Sequence, residues 1–255
     1  MSTLTAPRPD LRSDTGRPPA LLLTEVTKTY DGAHTALDRV SLEVQRGSFL
    51  AIMGPSGSGK STLLHCAAGL DAPTSGEVRI GGTEISRLSE TQRTRLRRSR
   101  IGFVFQSYNL LPSLTVEENI TLPLRLAGTP ADRKWLQGLV DRVGIADLLH
   151  RRPAELSGGQ QQRAAIARSL AARPEVVFAD EPTGALDLDT AAEVLDLLRE
   201  LVDEFGQTVV MVTHDPYAAA RAHATVVVAD GRIDAYLRQP AAAELAQRLT
   251  TLGRR

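Results

Sequence analysis

The stretch Gly54-Pro55-Ser56-Gly57-Ser58-Gly59-Lys60-Ser61-Thr62 follows a short apolar run, Phe49-Leu50-Ala51-Ile52-Met53, and leads into Leu63-Leu64-His65-Cys66-Ala67-Ala68-Gly69. This reads as a strand, a glycine loop and the start of a helix, and the spacing G-x-x-x-x-G-K-S is that of a phosphate-binding loop. Gly54, Gly57 and Gly59 have no Cβ, so the loop can curl around an anion and turn its N–H groups inward. The helix beginning near Lys60 adds the partial positive charge of its N-terminus. Lys60 supplies a mobile charge for the outer phosphates, and the Ser61 hydroxyl is placed to ligate Mg²⁺. The stretch therefore implies a nucleoside-triphosphate site in an α/β fold.

Composition narrows what surrounds that site. A chain of 255 residues suffices for one large domain or two small ones. Thirty Lys and Arg balance thirty Asp and Glu, so no global field recruits nucleic acid or an anionic membrane. The single cysteine, Cys66, allows no intrachain disulfide and reads as small core filler. No apolar run approaches the roughly eighteen residues of a membrane span. The first twenty residues lack the apolar core of a signal peptide and read as a disordered tail. The chain is expected to be soluble or peripheral, with any membrane role exercised through a partner.

Before the phosphate loop, residues 21–26 and 37–44 read as strands bounded by the turn signals Asp31-Gly32 and Arg46-Gly47. Tyr30, just before the first turn, is either an aromatic platform for a base or packing for the turn. Beyond the loop, residues 76–80 read as a hairpin strand and 89–100 as a helix with Ser89 as candidate N-cap. The arginines crowded into that helix read as a solvated face; a nucleic-acid patch lacks the interleaved aromatics it would need. Ile101–Phe105 reads as a strand ending on Gln106, a residue able to reach a bound metal or an attacking water. Residues 116–126 and 132–143 have helical spacing, with Gly128-Thr129-Pro130 between them and Trp135 as packing.

A second glycine-led helix start follows at Leu156-Ser157-Gly158-Gly159-Gln160-Gln161-Gln162-Arg163. The phosphate loop already cradles phosphates from its own chain, so one use for this second anion-ready terminus is the nucleotide of another copy. Val176-Val177-Phe178-Ala179-Asp180-Glu181 then reads as a buried strand delivering two carboxylates at its C-terminal end, where open α/β sheets bind ligands. Strand alternation points the two apart: Asp180 suits the Mg²⁺ shell, and Glu181 suits activation of water as base or orienter. Leu188–Phe205 reads as a long helix ended by Gly206, and 208–212 as a strand closing on Thr213-His214-Asp215. His214 can there donate to a terminal phosphate. Residues 224–229 and 232–233 read as a last hairpin before a helical tail over 237–255.

In this order the pieces resemble the ATP-binding-cassette ATPases of transporters, over residues 21–236. The most specific match is Leu156-Ser157-Gly158-Gly159-Gln160, flanked by Tyr30, the phosphate loop, Gln106, Asp180-Glu181, Ala185-Leu186-Asp187 and His214. Ile101-Gly102-Phe103-Val104-Phe105-Gln106, Asn109-Leu110-Leu111-Pro112 and Thr115-Val116-Glu117-Glu118-Asn119 resemble the branch of macrolide exporters, lipoprotein-release ATPases, cell-division ATPases and antimicrobial-peptide resistance pumps. The sequence departs from that branch at Ala185, where asparagine is frequent, and at Ala222-His223-Ala224, in place of Ala-Asp-Arg.

The resemblance implies a RecA-like P-loop NTPase core, an antiparallel β layer near the N-terminus and a helical subdomain over about 107–171. It implies ATP and Mg²⁺ as ligands. Glu181, His214 and Gln106 would serve catalysis, and Ser61, Gln106 and Asp180 the metal. Tyr30, the loop from Gly54 to Thr62, Ser157-Gly158-Gly159-Gln160 and Asp187 would hold nucleotide. Two copies would sandwich two ATP molecules head to tail and drive a membrane permease on a separate chain from the cytoplasmic face, without nucleic acid. The rival is a soluble cassette ATPase of DNA repair or translation, but the chain has neither an inserted coiled coil nor a second cassette. The loop after Gln106, with Tyr108, Leu110, Leu111 and Leu114, reads either as the permease dock or as packing within the helical subdomain.

Overall fold

The computed structural model describes residues 16–253, so most of the expected N-terminal tail, residues 1–15, and the last two residues lie outside the description. Of the described part, Ala20 is buried and its N–H donates to the Val44 carbonyl. Strands β1 (Leu21–Tyr30) and β2 (His34–Val44) pair antiparallel, and β3 (Phe49–Met53) leads into α1 (Lys60–Ala67). Next come β4 (Ser75–Ile80), β5 (Thr83–Glu84), α2 (Glu90–Arg100) and β6 (Ile101–Phe105). Helices α3 (Val116–Ala127), α4 (Arg133–Arg142) and α5 (Gly158–Leu170) separate β6 from β7 (Val176–Asp180). The described fold closes with α6 (Leu188–Phe205), β8 (Val209–Val212), α7 (Pro216–Ala220), β9 (Ala224–Ala229), β10 (Arg232–Arg238) and α8 (Ala242–Leu252).

These strands form two sheets. The antiparallel one runs β2-β1-β4-β5 and the larger runs β10-β9-β3-β8-β7-β6. In the larger sheet β9, β3, β8, β7 and β6 are mutually parallel and only β10 is antiparallel. Every residue of β3 and β8 is buried, as expected where both faces of a parallel sheet are covered. Side-chain alternation divides the core in two. Phe49, Ala51 and Met53 join Ala179, Met211 and the apolar sides of α3, α4, α5 and α6. Leu50 and Ile52 face the other way, with Phe178, Val210, α1 and the antiparallel sheet. The phosphate loop leaves the C-terminal end of the central strand, between these two layers.

Helix ends follow the signals in the sequence. Ser89 caps α2 in a reciprocal capping box with Gln92, and Thr115 and Glu118 do the same for α3. Gly206 ends α6 in the left-handed conformation, φ 64°. Elsewhere regular periodicity misleads. Strand β1 runs on to Tyr30, paired with His34, and irregularities of register between Leu23 and Thr29, with Glu25 at φ 51°, break the alternation that would have marked its full length. A register shift between Ile233 and Ala235 likewise hides the extension of β10 to Arg238. Helix α2 buries no residue, yet its arginines are not merely solvated: Arg93 and Arg97 pair with Glu90, and Arg100 reaches Thr83 and Glu175. Trp135 does pack, meeting the Phe205 ring edge-on at 6.3 Å between centroids.

Candidate nucleotide site

The phosphate loop is shaped by what its glycines must pass. A Cβ on Gly54 would lie 2.0 Å from the Val228 carbonyl oxygen, and one on Gly59, at φ 101°, would lie 2.4 Å from that of Ala36. Neither position admits a side chain without moving backbone. Gly59 also caps α1 with no side-chain acceptor, so the first N–H groups of the helix have no protein side chain on them. The Ser58 hydroxyl is buried and has no hydrogen-bond partner among the described residues. Such an orphaned donor beside an uncapped helix start is the environment an anion completes.

Lys60 folds back over the loop, its ammonium donating to the carbonyls of Gly54 at 2.9 Å and Pro55 at 2.8 Å. Burial pulls this ammonium below its ordinary range, while Glu181 and Asp180 oppose that shift. The Asp180 carboxyl moves up through burial and the adjacent Glu181, with His65 and Lys60 pulling the other way. The phosphate loop and the end of β7 are thus in one electrostatic neighbourhood.

Asp180 is the last residue of β7, but Glu181 is off the strand in the left-handed region at φ 46°. Strand alternation therefore does not divide the two carboxylates; a strained turn does. The Glu181 carboxylate accepts from the Thr213 hydroxyl at 3.1 Å, the His214 N–H at 3.0 Å and the His214 ring Nδ1 at 2.7 Å. An ionised carboxylate only accepts, so Nδ1 carries the proton in this contact. Gln106 lies over the turn that follows Glu181: a Cβ on Gly184 would be 2.8 Å from Gln106 Nε2.

Ser157 caps α5, its hydroxyl accepting from the Gln160 N–H at 3.3 Å while Gln160 Oε1 accepts from the Ser157 N–H at 3.0 Å. Gly158 and Gly159 pack against Leu186 and Thr190, and Asp187 caps α6 by accepting from the Thr190 N–H at 3.0 Å. That N–H holds the Asp187 carboxyl below its ordinary range. Among the described residues no hydrogen bond joins 157–160 to the phosphate loop. Tyr30 stands at the end of β1 with 37% of its surface exposed.

The supporting roles of three residues escaped the sequence reading. Gln162, buried on α5, donates to the Pro182 carbonyl and ties the second glycine-led helix to the Glu181 turn. Asn119, fully buried on α3, pins the loop after Gln106: it accepts from the Leu111 N–H at 2.8 Å and donates to the carbonyls of Leu111 and Thr115. Arg168 donates to the Tyr108 carbonyl at 2.8 Å and to that of Asn109. A polar residue amid an apolar helical face was the available signal in each case. In that loop Leu110 packs on the core, whereas Leu111 keeps 44% of its surface exposed.

Comparison with known proteins gives one consistent answer. An uncharacterized ABC transporter ATP-binding protein of Thermotoga maritima is 50% identical over 217 residues, covering 83% of this chain and 92% of that protein. The macrolide export ATP-binding/permease protein MacB of Hyphomonas neptunium is 44% identical over 90% of this chain, which spans only 37% of the MacB length. Among solved structures, the dimeric post-hydrolysis state of the ATP-binding cassette MJ0796 bound to ADP and Pi matches with TM-score 0.76 at 41% identity. That match covers 87% of this chain and 99% of the other. These relatives do not favour a soluble repair or translation factor. The profile of the ABC transporter family matches residues 37–184, more than half of the sequence. The chain belongs to the ABC transporter family, as an ATP-binding cassette subunit.

Proposed function

We propose that the chain hydrolyses ATP as the motor of a membrane permease carried on a separate polypeptide, acting at the cytoplasmic face of the membrane. The branch it resembles points to export, lipoprotein release or mechanical transmission. The observation that carries this reading is the second glycine-led helix start. It is capped, exposed at Ser157 and not bonded to its own phosphate loop, so it is available to the nucleotide of a second copy.

In this reading the phosphate loop holds the triphosphate through its N–H groups, and Lys60 leaves the Gly54 and Pro55 carbonyls for the outer phosphates. Ser61, Asp180 and Gln106 would hold Mg²⁺, which would neutralise charge on the outer phosphates. Glu181 takes a proton from water or orients it, while Thr213 and His214 fix its carboxylate. With Nδ1–H given to Glu181, Nε2 of a neutral His214 is an acceptor. The ring must turn or gain a proton before it donates to phosphate. ATP closes the pair only by binding the closed form more tightly, and hydrolysis removes that preference.

The permease dock in this scheme is the loop after Gln106, with exposed Leu111 held by buried Asn119. Such an interface buries about 1,200–2,000 Å², with a few apolar anchors carrying most of the energy. Leu111→Asp is expected to lose co-purification with the co-expressed permease, and transport with it, while the isolated subunit melts and binds ATP as the parent does. Parental permease affinity and transport in a folded Leu111→Asp protein would place the dock elsewhere.

A further inference from the structure

The ring of Tyr30 is held at two points by groups outside the nucleotide motifs. Its hydroxyl donates to Asp71 Oδ2 at 2.9 Å, and the other oxygen of the same carboxylate accepts from the Lys28 ammonium at 2.7 Å. Lys28 also donates to the Ala72 carbonyl at 2.8 Å, and its nitrogen lies 4.8 Å from the centre of the Tyr30 ring. One face of the ring is thus backed by a cation, and the ring remains partly exposed. Burial pushes the Asp71 carboxyl up, but Lys28 and Tyr30 outweigh it and hold the group below its ordinary range. The carboxylate that receives both contacts is therefore ionised at neutral pH.

Asp71 is itself fixed. Its N–H donates at 3.2 Å to the carbonyl of His65, in the last turn of α1. The other end of α1 is the phosphate loop. The aromatic at the end of β1 is consequently keyed to the helix that begins at Lys60, although 41 residues separate it from Asp71.

We infer that Asp71 and Lys28 are positioning residues for nucleotide base recognition: they set the Tyr30 ring, in register with the phosphate loop, as a preformed cation-backed platform for adenine. This rests on the reading of Tyr30 as the base-stacking residue. A tyrosine free to rotate would have to be ordered when the base arrives, and ordering it beforehand removes that cost from binding. The ammonium behind the ring draws on its π face while the base stacks on the opposite one. A simple staple between β1 and the end of α1 would use the same contacts.

The two roles separate when ligands with and without a base are compared. The probes are ATP and inorganic tripolyphosphate, each with Mg²⁺, titrated calorimetrically into the full chain. Tyr30→Ala is expected to weaken ATP about ten-fold or more. Asp71→Asn and Tyr30→Phe should each weaken ATP about three-fold to ten-fold. All three should bind tripolyphosphate as the parent does. Tyr30→Phe deletes the hydroxyl that Asp71 accepts from, and Asp71→Asn weakens that same bond while removing the charge beside Lys28, so the losses in the double variant should be less than additive. Tyr30→Phe removes one hydroxyl from a partly exposed side chain, so it remains informative if Asp71→Asn folds poorly.

Parental ATP affinity in Asp71→Asn and Tyr30→Phe, with Tyr30→Ala still weak, would make the cluster a staple and overturn the inference. So would equal losses for ATP and tripolyphosphate, or additive losses in the double variant. Parental ATP affinity in Tyr30→Ala would instead remove Tyr30 from the base site, and the inference with it.

Discussion

Glu181→Gln is expected to release phosphate from ATP about 10²–10⁴-fold more slowly than the parent, because a positioned general base contributes on that scale. ATP affinity should persist. The substitution keeps the shape of the side chain, and its amide oxygen can still accept from the His214 N–H that now lies 3.0 Å from the carboxylate. The Thr213 hydroxyl can reverse its role and accept from the new amide. What disappears is an oxygen able to take a proton. Phosphate release under saturating ATP and Mg²⁺ measures the loss, and calorimetry shows binding retained. Parental turnover would remove Glu181 from that role.

Lys60→Ala should act on the other quantity. The ammonium is half-buried and shares its surroundings with Asp180 and Glu181, so its removal leaves two carboxylates facing an incoming triphosphate. Hydrogen bonds to charged groups contribute about 1.5–3 kcal/mol, which corresponds to roughly 10- to 150-fold in affinity. Lost repulsion between Lys60 and the helix start does not compensate, since the ammonium already has carbonyl partners at Gly54 and Pro55. Titration with ATP measures the change, and parental affinity would show that the backbone N–H groups suffice.

Much of the site is legible in one dimension because its parts are local. The Ser157 cap and the Asp187 cap depend on neighbours within a few positions, and the phosphate loop is marked by its spacing alone, although Val228 and Ala36 crowd its glycines in the fold. For the same reason α6 begins and ends where its periodicity and Gly206 place it. Legibility fails where geometry departs from regular alternation or contacts span the fold. Glu181 looks like a strand residue because four buried residues and Asp180 run up to it, but its φ of 46° begins the turn that leads to α6. The bulged β1 conceals that Tyr30 still belongs to a strand. Gln162 and Pro182, and Arg168 and Tyr108, meet only after α5 is packed against the sheet, whereas Asn119 and Leu111 meet across the short loop that leads into α3. A polar side chain amid apolar helical positions marks such a residue, but not its partner.

ATP is expected to join two copies of this chain through Ser157-Gly158-Gly159-Gln160. Ser157 is exposed, so an arginine there meets solvent in the single chain and costs about 1 kcal/mol of lost capping at the start of α5. In the closed pair it would occupy the place of a phosphate contact. Light scattering of Glu181→Gln with ATP measures this directly. The account predicts twice the single-chain mass with ATP, the single-chain mass without it, and the single-chain mass with ATP once Ser157→Arg is added. A single-chain mass for Glu181→Gln, with bound ATP verified in the same sample, would contradict it.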